Sequence, residues 1–141
     1  MQRVVLAAVL TLLAVAPAAA DLRILGSPGG EVSSYLRMIA AMRASGQRIV
    51  IDGPCYSACT LLLSEIPADR LCATRRAVLG FHAARWIDRE GREYAAPDET
   101  RLVVAAYPPA VQAWIKRRGG LKSKPIFLRG RELAAVLPRC S

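Results

Sequence analysis

Between Leu22 and His82 short aliphatic runs alternate with glycine-bearing loops and with helical spacing, and this alternation constrains the fold more than any other feature of the chain. Leu22-Arg23-Ile24-Leu25 reads as a strand that stops at Gly26-Ser27-Pro28-Gly29-Gly30, a segment no strand or helix continues through. From Glu31 to Ala44, apolar residues at Val32, Tyr35, Leu36, Met38, Ile39 and Met42 recur at helical intervals, and Gly46 closes the helix. Arg48 to Asp52 is a second strand whose β-branched centre suits a buried parallel sheet, broken by Gly53-Pro54. Tyr56 to Ile66 then reads as a buried helix ended by Pro67, and Leu71 to Thr74 and Ala77 to His82 read as further strands before a charged turn at Asp88 to Arg92. This βαβαβ order predicts an α/β fold, repeated βα units around a mostly parallel sheet.

The last third is more broken. Thr100 to Lys116 has helical spacing interrupted by Pro108-Pro109, which predicts two helices or one sharp kink. Gly119-Gly120 ends the second, Pro125 to Leu128 suits an edge strand, and Arg131 to Leu137 a closing helix before Pro138. A length of 141 residues supports one domain, and an apolar share of 53% excludes a disordered tail protein.

The start of the chain reads as an export signal. Gln2-Arg3 opens it, Val4 to Ala16 is apolar apart from Thr11, and Ala18-Ala19-Ala20 supplies the small residues a signal peptidase reads. Residues 1–20 are therefore expected to be a cleaved signal peptide and 21–141 a single mature domain. The apolar run falls short of the roughly 20 residues a spanning helix needs, so no stable membrane span is expected. The implied location is periplasmic or secreted, an oxidising compartment in which Cys55, Cys59, Cys72 and Cys140 are open to pairing. Four cysteines allow three pairings. One reading ties the helix that follows Ser57 to the Cys72 strand, with Cys140 fixing the tail or free; another makes Cys55 or Cys59 a reactive thiol at a helix start.

Few residues offer chemistry. The chain has one histidine, His82, the residue type suited to proton transfer at neutral pH. The cysteine spacing is not that of a zinc ribbon and carboxylates do not cluster, so neither a metal nor any other cofactor is expected. Ser27-Pro28-Gly29-Gly30 lacks both the Walker lysine and the dinucleotide spacing. Of the 20 basic residues all but three are arginine, and Lys116-Arg117-Arg118 with Lys122 and Lys124 reads as a solvated helix end, so no nucleic-acid partner is expected. Ser57 follows a strand and a Gly-Pro break and opens a helix, where backbone N–H groups favour a developing negative charge. His82 is the only histidine to take its proton. In a parallel α/β sheet, the loops after the first two strands and the end of a later strand meet at one edge, which brings the glycine loop, Ser57 and His82 together.

Taken as a set, Ser27-Pro28-Gly29-Gly30 opening a helix, Ser57 with Ala58-Cys59 behind it, and Gly80-Phe81-His82 placed 25 residues after Ser57 resemble the proteolytic subunit of Clp protease and its crotonase-like superfamily. The resemblance covers Leu22 to about Ala84, and more loosely Phe127 to Leu133. It implies a small Clp/crotonase-like domain with Ser57 as nucleophile, His82 as general base, and backbone N–H groups of Gly29 or Gly30 and of Ala58 as the oxyanion hole. It also implies a peptide or protein substrate and self-association as a homo-oligomer. The chain departs from the pattern at the triad acid, where Pro125 stands, and no carboxylate occurs between Thr100 and Arg131. Asp52, Asp88 or Asp98 is left to substitute, unless His82 works alone or the site is inactive. The Ser/Lys dyad of related signal-peptide peptidases is not matched, since all three lysines lie far down the chain. Two functions follow: an exported Clp-like serine hydrolase acting by acyl transfer on peptides, or a catalytically weak or inactive Clp-like domain that binds a peptide or a partner protein.

Overall fold

The computed structural model describes residues 20–141; the signal sequence expected at the start therefore lies, but for Ala20, outside the described residues. Three parallel strands, β1 (Leu22–Ile24), β2 (Ile49–Ile51) and β4 (Leu71–Ala73), form one sheet in the order β1-β2-β4, with Ile24 beside Ile51 and Ile51 beside Ala73. A second sheet has the order β3-β5-β8. In it β3 (Pro54–Tyr56) runs parallel to β5 (Val78–Phe81), and β8 (Ile126–Arg129) runs antiparallel on the edge. The expected mostly parallel sheet is thus divided into two three-stranded sheets, and one of them carries an antiparallel edge.

The division falls at the expected Gly53-Pro54 break. Pro54 does not end strand structure but begins β3, a position where its missing N–H costs no ladder bond, and its carbonyl accepts from Ser27 N–H at 2.8 Å. Glycine is required just before it, because a Cβ on Gly53 would stand 2.0 Å from the Leu25 carbonyl oxygen. The chain crosses from one sheet to the other through that contact.

Helix α1 (Val32–Ala44) is capped by the Glu31 carboxylate, which accepts from the N–H groups of Ser33 and Ser34 at 2.9 Å each. Only Ile39 of its apolar stripe is buried, with Tyr35 and Met42 half-buried, while Val32, Leu36 and Met38 face outward. The expected helix over Tyr56 to Ile66 is instead a 3-10 turn, Ser57–Leu61, followed by the single α-turn α2 (Leu62–Glu65). Pro108-Pro109 separates α3 (Pro97–Ala106) from α4 (Pro109–Arg117), as the proline pair predicts. Helix α5 (Gly130–Ala134) precedes Pro138.

One hydrophobic core joins both sheets and the helices. Its largest buried side chain, Trp114 of α4, packs on Phe81 of β5, which meets Tyr107 edge to face at a centroid distance of 5.4 Å. The charged turn at Asp88 to Arg92 joins two short strands that sequence patterning does not reveal, β6 (Arg85–Ile87) and β7 (Glu93–Ala95), with Trp86 opposite Tyr94. All six of their residues are exposed, so no apolar-polar alternation marks them. Among the described residues no helix is long and apolar enough to cross a membrane.

Candidate functional site

Ser57 is placed by an abrupt reversal at the end of β3. Tyr56 is still extended, whereas Ser57 has φ of 54° and is the only non-glycine residue with positive φ among the described residues. For an L-residue other than Asn or Asp this left-handed conformation is sparsely populated and costs about 1 kcal/mol or more, so the surroundings must hold it. They do so from three directions.

The glycine loop supports Ser57 from behind. Ser27 N–H donates to the Pro54 carbonyl, Tyr56 N–H donates to the Ser27 carbonyl at 2.9 Å, and the loop is thereby laced to β3. Gly29, at φ of 86°, packs so closely that a Cβ there would stand 2.4 Å from the Ser57 Cβ and 2.6 Å from the Tyr56 oxygen. Ser27 Oγ hydrogen-bonds the Tyr35 hydroxyl of α1, which ties the loop to the helix it opens. Gly29 N–H points back to Ser27 Oγ at 3.4 Å, a weak bond.

Thr60 and Tyr107 hold the turn from the core side. The hydroxyl of buried Thr60 donates to the Ser57 carbonyl at 2.7 Å. That uses its one proton, so Tyr107 Oη donates to Thr60 Oγ1 at 2.6 Å. Burial pushes the Tyr107 phenol up to about 12, so it stays a neutral donor. Neither residue carries a sequence motif. The available signals were the spacing of Thr60 three residues after Ser57 and the position of Tyr107 immediately before the proline pair.

The third direction is covalent. Cys55 is bonded to Cys59, two residues either side of Ser57, and Cys72 is bonded to Cys140. This corrects the expected tie between the Ser57 helix and the Cys72 strand, since β4 is stapled to the tail instead. It also corrects the reactive-thiol reading, because no free cysteine exists.

His82 follows the last residue of β5, and its Nδ1 lies 2.7 Å from the Ala83 carbonyl. A carbonyl only accepts, so Nδ1 carries the proton and Nε2 is left as the acceptor. Ser57, Ala58 and His82 line one cleft of about 50 Å³, walled by Leu61, Val103 and Leu121 among others. No hydrogen bond joins Ser57 Oγ to His82. The 3-10 ladder leaves the N–H of Ala58 without an acceptor at its first turn.

None of the three carboxylates left open as triad acid reaches His82. Asp52 is buried and accepts from Arg23 at 3.1 Å, Thr74 at 2.7 Å and Arg76 at 2.5 Å; these donors, Arg76 foremost, hold its carboxyl well below the usual carboxylate range. Asp88 is bonded to Arg92 and Tyr94 inside the β6–β7 hairpin, and Asp98 pairs with Arg101. The partner of His82 is a backbone carbonyl.

No family model matches the chain, and no curated protein matches it. Among solved structures it is similar to the ClpP1 N165D mutant from Listeria monocytogenes, at 12% sequence identity and a TM-score of 0.44, over 83% of this chain and 71% of that one. The fold is mixed α/β with a Clp-like neighbour, and a likeness at that level carries no inference about activity.

Proposed function

We propose that the protein is an exported serine hydrolase that cleaves peptide bonds by acyl transfer through Ser57 and His82. The observation that carries this reading is the conformation of Ser57, a non-glycine residue held at positive φ on a strand-to-helix turn in the same cleft as the only histidine. Strain of that kind clusters at functional sites because it presents a side chain the relaxed chain would turn away. In the proposed reaction His82 Nε2 takes the Ser57 hydroxyl proton as Oγ attacks the substrate carbonyl. The N–H groups of Ala58 and Gly30 receive the developing oxyanion, and the same imidazolium then protonates the leaving amine. Gly29 is the weaker candidate for the hole, since its N–H is turned toward Ser27 Oγ. Water enters next and the steps repeat in reverse order to release the acid. The signal sequence expected over residues 1–20 and the two disulfides support an oxidising compartment; self-association as a homo-oligomer rests on the sequence resemblance alone.

Loss of the acid that orients the histidine costs a serine protease triad about 10⁴ in kcat, so slow turnover is expected here. That same feature, a histidine whose partner is only the Ala83 carbonyl, favours the second reading, a Clp-like domain that holds a peptide in this cleft without cutting it. A fluorophosphonate probe separates them. Labelling of the oxidised protein at Ser57, abolished by Ser57→Ala and by His82→Ala, supports the hydrolase; a folded protein that is not labelled but binds peptide supports the second reading.

A further inference from the structure

We infer that the Cys55–Cys59 disulfide is a positioning clamp for the Ser57 hydroxyl, a role beyond fold stabilisation that rests on the hydrolase reading of the site. Hydrolases that present a serine on a strained strand-to-helix turn commonly carry glycine two residues before it and two after it, where the turn crowds its neighbours. This chain carries Cys55 and Cys59 at those positions, giving Cys-Tyr-Ser-Ala-Cys in place of a glycine-bracketed serine. Neither Tyr56 nor Ala58 is a residue that favours a left-handed turn, so local preference does not produce the reversal.

Geometry does. In an extended chain, residues four apart are separated by roughly 13–14 Å. The disulfide brings the Cα atoms of Cys55 and Cys59 to 5.3 Å, so the three residues between them must fold back on themselves. One end of this ring is fixed in the sheets, since Cys55 pairs with Leu79 of β5 and bridges Ser27 of the glycine loop. The other end lies in the buried 3-10 turn, where the Thr60 hydroxyl holds the Ser57 carbonyl. With Tyr56 held extended by its bond to Ser27, Ser57 takes up the reversal. Cys55 and Cys59 are 0% and 2% exposed, so the bond is sealed from solvent and acts through geometry.

The test compares two paired variants of the full-length oxidised chain, C55A/C59A and C72A/C140A, by fluorophosphonate labelling rate, melting temperature and amide hydrogen exchange at residues 57–60. The clamp requires C55A/C59A to be labelled at least tenfold more slowly and to exchange those amides at least tenfold faster. C72A/C140A, which opens the far longer loop, should melt lower than C55A/C59A yet label within twofold of the parent. A positional role is thereby separated from a structural one, since the two rankings are reversed. Should C55A/C59A not fold, Cys59→Ser breaks the same bond by a single-atom exchange and carries the same expectations. Unchanged labelling and exchange in C55A/C59A, or labelling that falls with melting temperature in both variants alike, overturns the clamp. If the parent is not labelled at all, the hydrolase reading fails separately and exchange alone decides: faster exchange at 57–60 in C55A/C59A supports the clamp, and unchanged exchange overturns it.

Discussion

At Ser57 the chain holds a side chain where glycine would rest more easily, and the two properties can be separated by substitution. Ser57→Gly removes the steric cost of φ at 54° and is expected to stabilise the protein by about 0.5–1 kcal/mol relative to Ser57→Ala, even though glycine enlarges the unfolded ensemble. Urea unfolding midpoints of the two variants measure it, and a Ser57→Gly protein less stable than Ser57→Ala would show that the turn is not strained. The reciprocal substitution lies behind it. Gly29→Ala places a methyl 2.4 Å from the Ser57 Cβ at a positive φ, and is expected to lose more than about 2 kcal/mol and to displace the serine. Tyr107→Phe is milder. It keeps the aromatic packing on Phe81 and removes the donor to Thr60, for about 1 kcal/mol, with the Ser57 carbonyl still held by Thr60. Ser57, His82 and the glycine loop were legible in the sequence because each stands at a punctuation point between elements. Thr60 and Tyr107 were not, because they lie 47 positions apart in the sequence and no local pattern encodes their meeting.

At the scale of elements, the β1–α1–β2 unit was readable because its strands are aliphatic apart from Arg23 and its loops carry glycine. The turn after β2 differs from its sequence pattern for a physical reason. Proline and glycine mark a break in one strand, and here the break is also the start of β3 in another sheet, a distinction that rests on the tertiary contact of Gly53 with Leu25. The termini of these elements are held by carboxylates, which makes the fold sensitive to acid. Donation from the side chains and N–H groups of Ser33 and Ser34 lowers the Glu31 carboxyl to about 2 from its ordinary 4.5, and Asp52 is held down by Arg76, Thr74 and Arg23. Both are depressed in the folded state, so their contributions are complete above the unfolded value of about 4 and are lost as pH falls below it. Melting temperature is therefore expected to be flat from neutrality to about pH 5 and to drop below about pH 4. In Glu31→Gln the starting stability should be lower and the acid slope shallower; an unchanged slope would show that the cap contributes nothing.

For the whole molecule the two disulfides do different work, and loop length decides which matters for stability. Cys72–Cys140 joins residues 68 apart in sequence and returns the tail to β4, where Arg139 also bridges Ala73 and the Cys140 N–H donates to the Ala73 carbonyl. Closing a loop of that length removes unfolded-chain entropy worth about 4 kcal/mol, against about 2 kcal/mol for the four-residue separation of Cys55 and Cys59. For a domain whose total stability is on the order of 5–15 kcal/mol, the first is a large fraction. C72A/C140A is therefore expected to unfold at markedly lower urea than C55A/C59A, with the m-value of each reporting how far its unfolded state expands. The reducing agent should follow the same logic in the parent. Cys55 and Cys59 are sealed in the core, while Cys140 sits in the half-buried tail, so thiol trapping during mild reduction should find Cys72 and Cys140 modified first. Modification of Cys55 or Cys59 before Cys140, in protein that still has its native circular dichroism, would mean that the Ser57 turn opens more readily than the tail, and the rigid presentation of that serine would have to be abandoned.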